Sequence, residues 1–500
     1  MSHAKVIKNS ASQTLLYATN VLLSLLMTPV YLKFLGAAGY GIWELMLALI
    51  GYLGILDLGI APALVQFFAV AKSTDSRVEE ARIFRTGAYT LSLVGLAGGL
   101  ALCVVALFPE RIFSAPDSIA RVTSYALFFF AANFTLSWIK TPLLCFLMGQ
   151  QRHYLINFTR VVTSVLEAVT IWTLLQRYPA YGLAIMAAVG LVSTMVQAVV
   201  YVASVRTQID SSYFAWPPDR GTLRRMASFG IKSAALIGSS SLVKGGLLFV
   251  IAQSISVEKI VFFVIPQKLT EYAVSITSAM GLPLEAHFAS ASGRSSTSLR
   301  QSWQVSTRIL QAVGLCIALG CIWLGLDFIR TWMGAAISEG SRIAFFVLCC
   351  GLVCQILTAN GLMLLIGLNK HGHMAVVSAI VSAATIVVAA LFTGSLGILW
   401  PAACLATCNA VLGAVSYRKA CQQIDVSVGE EFLSGLKRLI PAVAAGCVAY
   451  YLIRIAVPPM SYVTLALNAA IGSLAYLAAA FYFVLLPEEQ QLAIAQVRGR

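Results

Sequence analysis

Apolar positions in this chain do not alternate as in a half-buried strand, nor fall on one stripe as in a surface helix. They run on, turn after turn, on every face. A helix that crosses a bilayer needs about 20 mostly apolar residues. Fourteen runs meet that length, near 11–33, 40–70, 84–108, 123–148, 158–176, 182–205, 227–254, 260–289, 304–326, 342–368, 374–393, 397–417, 438–456 and 463–486. The second and eighth are long for one crossing and predict tilt or a kink. The pattern predicts an all-α integral membrane protein of about 14 transmembrane helices.

The short polar connections assign an orientation and a division. With the N-terminus inside, 23 of the 34 Lys and Arg fall on the inner side and seven on the outer, with Lys33, Lys140, Lys244 and Lys268 inside spans. That bias predicts both termini on the cytoplasmic side. "MGQQRHYLINF" from Met148 matches "IGLNKHGHMAV" from Ile366 at an offset of 218, and "QID" recurs at 208–210 and 423–425, an offset of 215. Both matches join even spans on one side, so the repeat is parallel, six spans in each half. Such repeats are a transporter architecture with the substrate between the halves. The expected organisation is an N-lobe at 1–210, a cytoplasmic inter-lobe linker at 211–226, a C-lobe at 227–425, and two C-terminal helices with a tail at 426–500.

Composition agrees with the pattern. Of 500 residues, 59% are hydrophobic and 11% charged, and mean hydropathy is +0.84. Soluble domains carry about 25% charged residues, and a single aqueous core does not grow to this size. The first run follows "HAKVIKNS", exceeds a signal-peptide core and has no small-residue cleavage site, so no cleaved leader is expected. The net charge of +14 follows from inner-loop Lys and Arg, and no basic helix with interleaved aromatics points to nucleic acid. The 11 cysteines lie mostly within apolar runs without metal-ligand spacing. His371 and His373 in "NKHGH" lack acidic or thiolate companions and read as loop residues.

Ionisable groups inside spans are costly and face a bundle interior or wet cavity. The cations are Lys33, Lys140, Lys244 and Lys268, with Arg160 at the inner end of the fifth span, and the acids are Glu44, Asp57, Glu167 and Glu271. Lys140 and Lys244 have no carboxylate within a turn on their own helix. One reading is a cationic chamber for an anionic substrate, where low dielectric strengthens the attraction. The other is internal ion pairing that fastens helices, as for Lys268 and Glu271 three residues apart. The acids are candidates for gating or for H+ or Na+ coupling; no bound cofactor and no metal are expected. "YALFFFAANF" at 125–134 is either a sugar platform or lipid-facing bulk. In "GYLGILDLGIAPAL", Asp57 precedes Gly59 and Pro62, which loosen a helix; it reads as a cap at a helix break, or as a coupling group.

The stretch from 8 to 60, "KNSASQTLLYATNVLLSLLMTPVYLKFLGAAGYGIWELMLALIGYLGILDLGI", resembles the polysaccharide flippases, which translocate O-antigen and capsule repeat units. They belong to the multidrug/oligosaccharidyl-lipid/polysaccharide exporter superfamily. The resemblance rests on Leu35-Gly36, Tyr40-Gly41 and Leu56-Asp57-Leu58-Gly59, with "IPQKLTEYAVSITSAMGLPLEAHFAS" and its late Pro283 as the eighth span. It implies a flippase, not an enzyme, acting in the bacterial inner membrane. The substrate would be an undecaprenyl-diphosphate-linked oligosaccharide carried from inner to outer leaflet by alternating access. The implied partners are that polyprenyl-diphosphate-linked oligosaccharide, membrane lipids, a polysaccharide polymerase and a chain-length regulator. It fixes no individual cation. A lipid II-type flippase and a multidrug cation exporter of the same superfamily are the alternatives.

Overall fold

A computed structural model describes residues 3–54, 59–74, 76–214, 217–291, 296–487 and 490–491. Among these there are helices and turns and no strand. Eleven helices are long and apolar enough to cross a membrane. The first, α1 (His3–Leu53), holds two crossings, because Gly36 sits at φ 68, ψ 179, a backbone region open essentially to glycine alone. Dividing α1 there, and counting α8 (Arg220–Ser254) and α9 (Ile260–Ala291), gives the fourteen expected.

The motif residues have local reasons. Tyr40 is buried, and a side chain at Gly41 would meet the Val257 carbonyl oxygen at 2.3 Å, so the turn before α9 lies directly on this part of α1. The break expected near Asp57 is present. α1 ends at Leu53 and α2 (Ile60–Ser73) begins after Gly59 at φ 75. The residue at the cap position of α2 is Gly59. Asp57 itself, like the side chain of Pro283, lies outside the described residues.

The chain forms two compact units, Met1–Ile260 and Val261–Arg500. In the first, α3 (Arg77–Ala106), α5 (Asp117–Gly149), α6 (His153–Arg177) and α7 (Gly182–Val205) pack with α1 and α2, and the short α4 (Pro109–Phe113) lies in the connection between α3 and α5. Ser76 caps α3 by accepting from the Glu79 amide, and Glu79 and Glu80 favour its positive end. Residues 211–214, in the segment expected as the inter-lobe linker, lie against this unit as a strap. Tyr213 is buried among Phe84 and Phe146 and donates to Glu80 at 3.0 Å, while Tyr89 donates to the Phe214 carbonyl. Buried Tyr213 decides its place, while Phe214 touches the Phe84 ring but is 58% exposed. α8 packs on α1, α2 and α3, so this unit extends beyond 210.

The second unit packs α11 (Ala335–Gly367) on α13 (Leu399–Gln423), with α12 (Gly372–Leu396) on α13. α10 (Ser296–Met333) packs with α14 (Val428–Ala456) and α15 (Tyr462–Phe483). Arg454 on α14 pairs with Asp327 on α10 at 2.8 Å.

The two halves repeat at the level of single hydrogen bonds. After α5, Gln150, Gln151 and Arg152 donate from their amides to Phe146, Met148 and Leu147. After α11, Leu368, Asn369 and Lys370 donate to Leu364, Ile366 and Leu365. Gln151 and Asn369 share the left-handed conformation, at φ 61 and 55. Each loop also reaches the Gln of its own "QID". Gln150 donates to Gln208 at 2.7 Å, and Lys370 donates to Gln423. The offsets of 218 and 215 are those of the sequence.

Candidate functional site

The spans α5, α6 and α7 enclose a polar centre. α5 brings Asn133 and Lys140, α6 brings Arg160, Thr163 and Glu167, and α7 brings Ser193 and Gln197. Positions four apart share a helix face, so Ser193 and Gln197 point the same way from α7, and Thr163 and Glu167 from α6. Gly190 makes the room. A side chain there would lie 3.5 Å from the Asn133 amide nitrogen and 3.7 Å from the Glu167 carboxylate.

Lys140 is 9% exposed. Its Nζ donates to Gln197 Oε1 at 2.6 Å, and Gln197 Nε2 donates to Thr163 Oγ1 at 3.0 Å. Thr163 in turn donates to the Thr159 carbonyl at 2.9 Å. Arg160 and Glu167 both act electrostatically on Lys140, and the Glu167 carboxylate accepts from Ser193. Lys140 makes no ion pair within 4 Å among the described residues. An ammonium has three donors, and this geometry engages one of them.

At 1.5 Å per residue, Arg160, Gln197 and Lys140 lie about 10–14 Å from the helix ends nearest the 150–152 loop, and Glu167 about 21 Å. The centre therefore holds two cations toward one end and one carboxylate deeper in. Its positive excess sits inside spans otherwise built of Leu, Val, Phe and Ala. Desolvating such a charge without a full partner is expensive, a cost that a bound anion would offset.

Of the candidates, the structure brings together Lys140, Arg160 and Glu167. It does not gather the others here. Lys33 is exposed on α1, 5.5 Å from the Phe34 ring centre. Lys244 is exposed on α8. Glu44 is buried on α1 beyond Gly36. Lys268 and Glu271 lie on α9, where Gln267 donates to Glu271 at 2.9 Å. Asp57 is outside the described residues. The aromatic run at 125–134 is divided. Phe130 and Phe134 are buried, the first against Trp43, and Tyr125, Phe128 and Phe129 are exposed. No cluster of His, Cys, Asp and Glu suited to a metal occurs among the described residues.

Charge counting missed Gln197, Thr163, Ser193 and Asn133. Their signal was available as neutral hydrogen-bonding residues four apart inside apolar runs, where an amide or hydroxyl must find a partner.

Comparison with known proteins follows the same lines. The family described as "Polysaccharide biosynthesis protein" matches residues 6–244. No curated protein matches the chain. Among solved structures, the lipid II flippase MurJ in an inward closed conformation is similar at 12% identity and TM-score 0.66, over 99% of this chain and 100% of that one. An inward-facing multidrug resistance MATE family transporter of the MOP superfamily is similar at 15% identity and TM-score 0.65, over 80% and 97%. A MOP superfamily transporter from Pyrococcus furiosus is similar at 15% and 0.60, over 84% and 95%. At these identities the likeness is one of fold: the two-lobed, many-helix transporter architecture.

Proposed function

We propose, on the match of residues 6–244 to the family described as polysaccharide biosynthesis protein, that the chain is a flippase for polyprenyl-diphosphate-linked oligosaccharide repeat units. It moves them from the inner to the outer leaflet of the bacterial inner membrane, for O-antigen, capsule or exopolysaccharide assembly. Both termini are cytoplasmic in this reading.

The observation that carries it is the charge-unbalanced centre of Lys140, Arg160 and Glu167 within spans of a multi-pass membrane protein. A polyprenyl tail stays in lipid; its diphosphate and glycan need a polar path. Lys140 and Arg160 supply cations that oppose the cost of bringing that anionic headgroup into low dielectric. Glu167, set deeper, weakens the hold once the anion has advanced, and it is the group in this centre suited to exchange a proton with the cycle. Alternating access between two repeat-related halves supplies the motion, and Lys33, Lys244, Lys268, Glu44, Asp57 and Glu271 are second-rank candidates along the same route.

The test is a deletion strain. Lipid-linked repeat units should accumulate on the inner leaflet, and the wild-type gene should clear them, whereas Lys140→Ala, present at equal level in the membrane, should not. Accumulation of lipid II instead would reassign the cargo. Unchanged lipid-linked pools would reject the function.

A further inference from the structure

We propose that Gln197 is a positioning residue: it holds Lys140 from a neutral oxygen and so presents the full ammonium charge to an anionic group of the substrate. The inference rests on the flippase reading for what the substrate is, and adds a residue that neither charge nor motif points to.

The arm is directional. The Thr163 hydroxyl donates to the Thr159 carbonyl, so Thr163 Oγ1 is left to accept. That draws the Gln197 NH2 toward Thr163 and turns the Gln197 carbonyl oxygen toward Lys140. The chain of donors runs Lys140 to Gln197 to Thr163 to helix backbone, with no charge along it but that of Lys140.

Three features make this hold a functional choice. A lysine carries its charge on four rotatable bonds and loses much entropy when pinned; a bond of 2.6 Å fixes it without cancelling it. Glu167 is in the same centre and acts on Lys140, so a released ammonium has a carboxylate to swing toward. The repeat-related position of Gln197 is Leu412, and that of Thr163 is Val381, so the same frame is built in the other half without such an arm.

The experiment uses the purified full-length protein in detergent, with farnesyl diphosphate as probe. Binding is titrated between pH 5 and 8 beside melting temperature, with wild type at each pH as reference. Lys140→Gln should abolish specific binding. Gln197→Glu places a carboxylate on Lys140; affinity should fall at least about tenfold at pH 8 and recover toward pH 5 as that carboxylate takes a proton, with melting temperature unchanged or raised. Gln197→Leu should weaken binding, and Glu167→Gln in that background should restore part of it. Thr163→Val should give a smaller loss.

If Gln197→Glu and Gln197→Leu bind as wild type while Lys140→Gln does not, the positioning role is rejected and the flippase reading stands. If every Gln197 variant loses affinity in step with melting temperature, and without a pH response, the residue is structural and the proposal fails. If wild type shows no Lys140-dependent binding, the underlying anion site is rejected with it. The pH readout bears on Lys140, Arg160 and Glu167 as well as the new carboxylate, so the shift counts only relative to wild type.

Discussion

The three-helix group α5–α6–α7 and its repeat partner α11–α12–α13 share a frame and differ in what fills it. Asn133, Lys140, Arg160 and Glu167 correspond to Gly351, Thr358, Ser378 and Thr385. On the third helix Ser193 and Gln197 correspond to Cys408 and Leu412. The correspondence is physical, since Glu167 meets Ser193 as Thr385 meets Cys408. Where the first group is charged, the second closes up. A side chain at Gly351 would lie 2.8 Å from the Ala406 Cα, and one at Gly413 would lie 2.2 Å from Thr358 Oγ1. In the first group nothing lies nearer than 3.5 Å to such an atom at Gly190. The second frame thus packs closely around small neutral residues. The charges of the other are not needed to hold three such helices together, and in the proposed function their cost is met by the anion they bind.

Exchanging the two fillings should break this contrast most severely in one direction. Thr358→Lys forces an ammonium into the space that Gly413 has closed. A charge at the centre of a spanning helix costs about 3 kcal/mol, and overpacking adds about 1–3 kcal/mol. The expected outcome is loss of the folded protein, read as loss of the monodisperse peak on gel filtration. The reverse exchange, Lys140→Thr, gives the first group the filling of the second. It should fold as well as wild type or better, and lose transport about ten- to a hundredfold, the value of a hydrogen bond to a charged group at about 1.5–3 kcal/mol. Clearance of lipid-linked intermediates at matched expression checks it. Wild-type clearance would mean that the charge is ornamental and the contrast empty.

Glycine substitutions sharpen the same contrast at lower cost. Gly361→Ala sets a methyl 2.7 Å from the backbone of Tyr417 and should destabilise by about 1–3 kcal/mol through overpacking. Gly190→Ala meets only side-chain atoms at ordinary contact distance and should leave the melting temperature near wild type. Its effect should instead be on transport, because the methyl enters the space between Asn133 and Glu167. Equal melting shifts in the two variants would show that the groups are packed alike.

Much of this was legible beforehand, for a physical reason. Lipid imposes one rule, that every spanning segment satisfy its own backbone, so run length alone marked the spans, and Gly36 and Gly59 marked breaks that glycine alone tolerates easily. The repeat was legible because its loops are built by the same backbone bonds. The centre was half legible. Charge in an apolar run singled out Lys140, Arg160 and Glu167, but also Lys33 and Lys244, which end exposed; hydropathy carries no information on which face of a helix meets its neighbours. Gln197 was hidden because a neutral amide costs far less than a charge and leaves little trace in a hydropathy profile. The linker expected at 211–226 gave no docking signal in its composition. Its polar and basic residues are its solvent side, and Tyr213, buried and donating to Glu80, decides where it docks.

The smallest expected effect separates the two segments that follow "QID". After the second, Ser427 caps α14 without a side-chain hydrogen bond. After the first, Asp219 caps α8, accepting from the Thr222 amide at 2.7 Å and from its hydroxyl, with Arg82 and Arg225 nearby. Those hydrogen bonds first, and the two guanidinium groups after them, hold the Asp219 carboxyl below the usual aspartate range. A carboxyl whose folded value is depressed stabilises the fold above its unfolded value, near 4, and that contribution fades as pH falls through the folded value. The Thr222 amide should therefore lose protection below about pH 4, after correction for the intrinsic pH dependence of hydrogen exchange. The amides at the start of α14 have no cap carboxyl, only Glu430 and Glu431 within the first turn, and should show a smaller step. Asp219→Asn keeps an oxygen acceptor but loses the charge, so it should hold Thr222 at neutral pH and abolish the acid step. Asp219→Ala should release Thr222 at every pH. If Thr222 and the first turn of α14 respond to acid alike, the cap carboxyl is not what anchors the strap to α8.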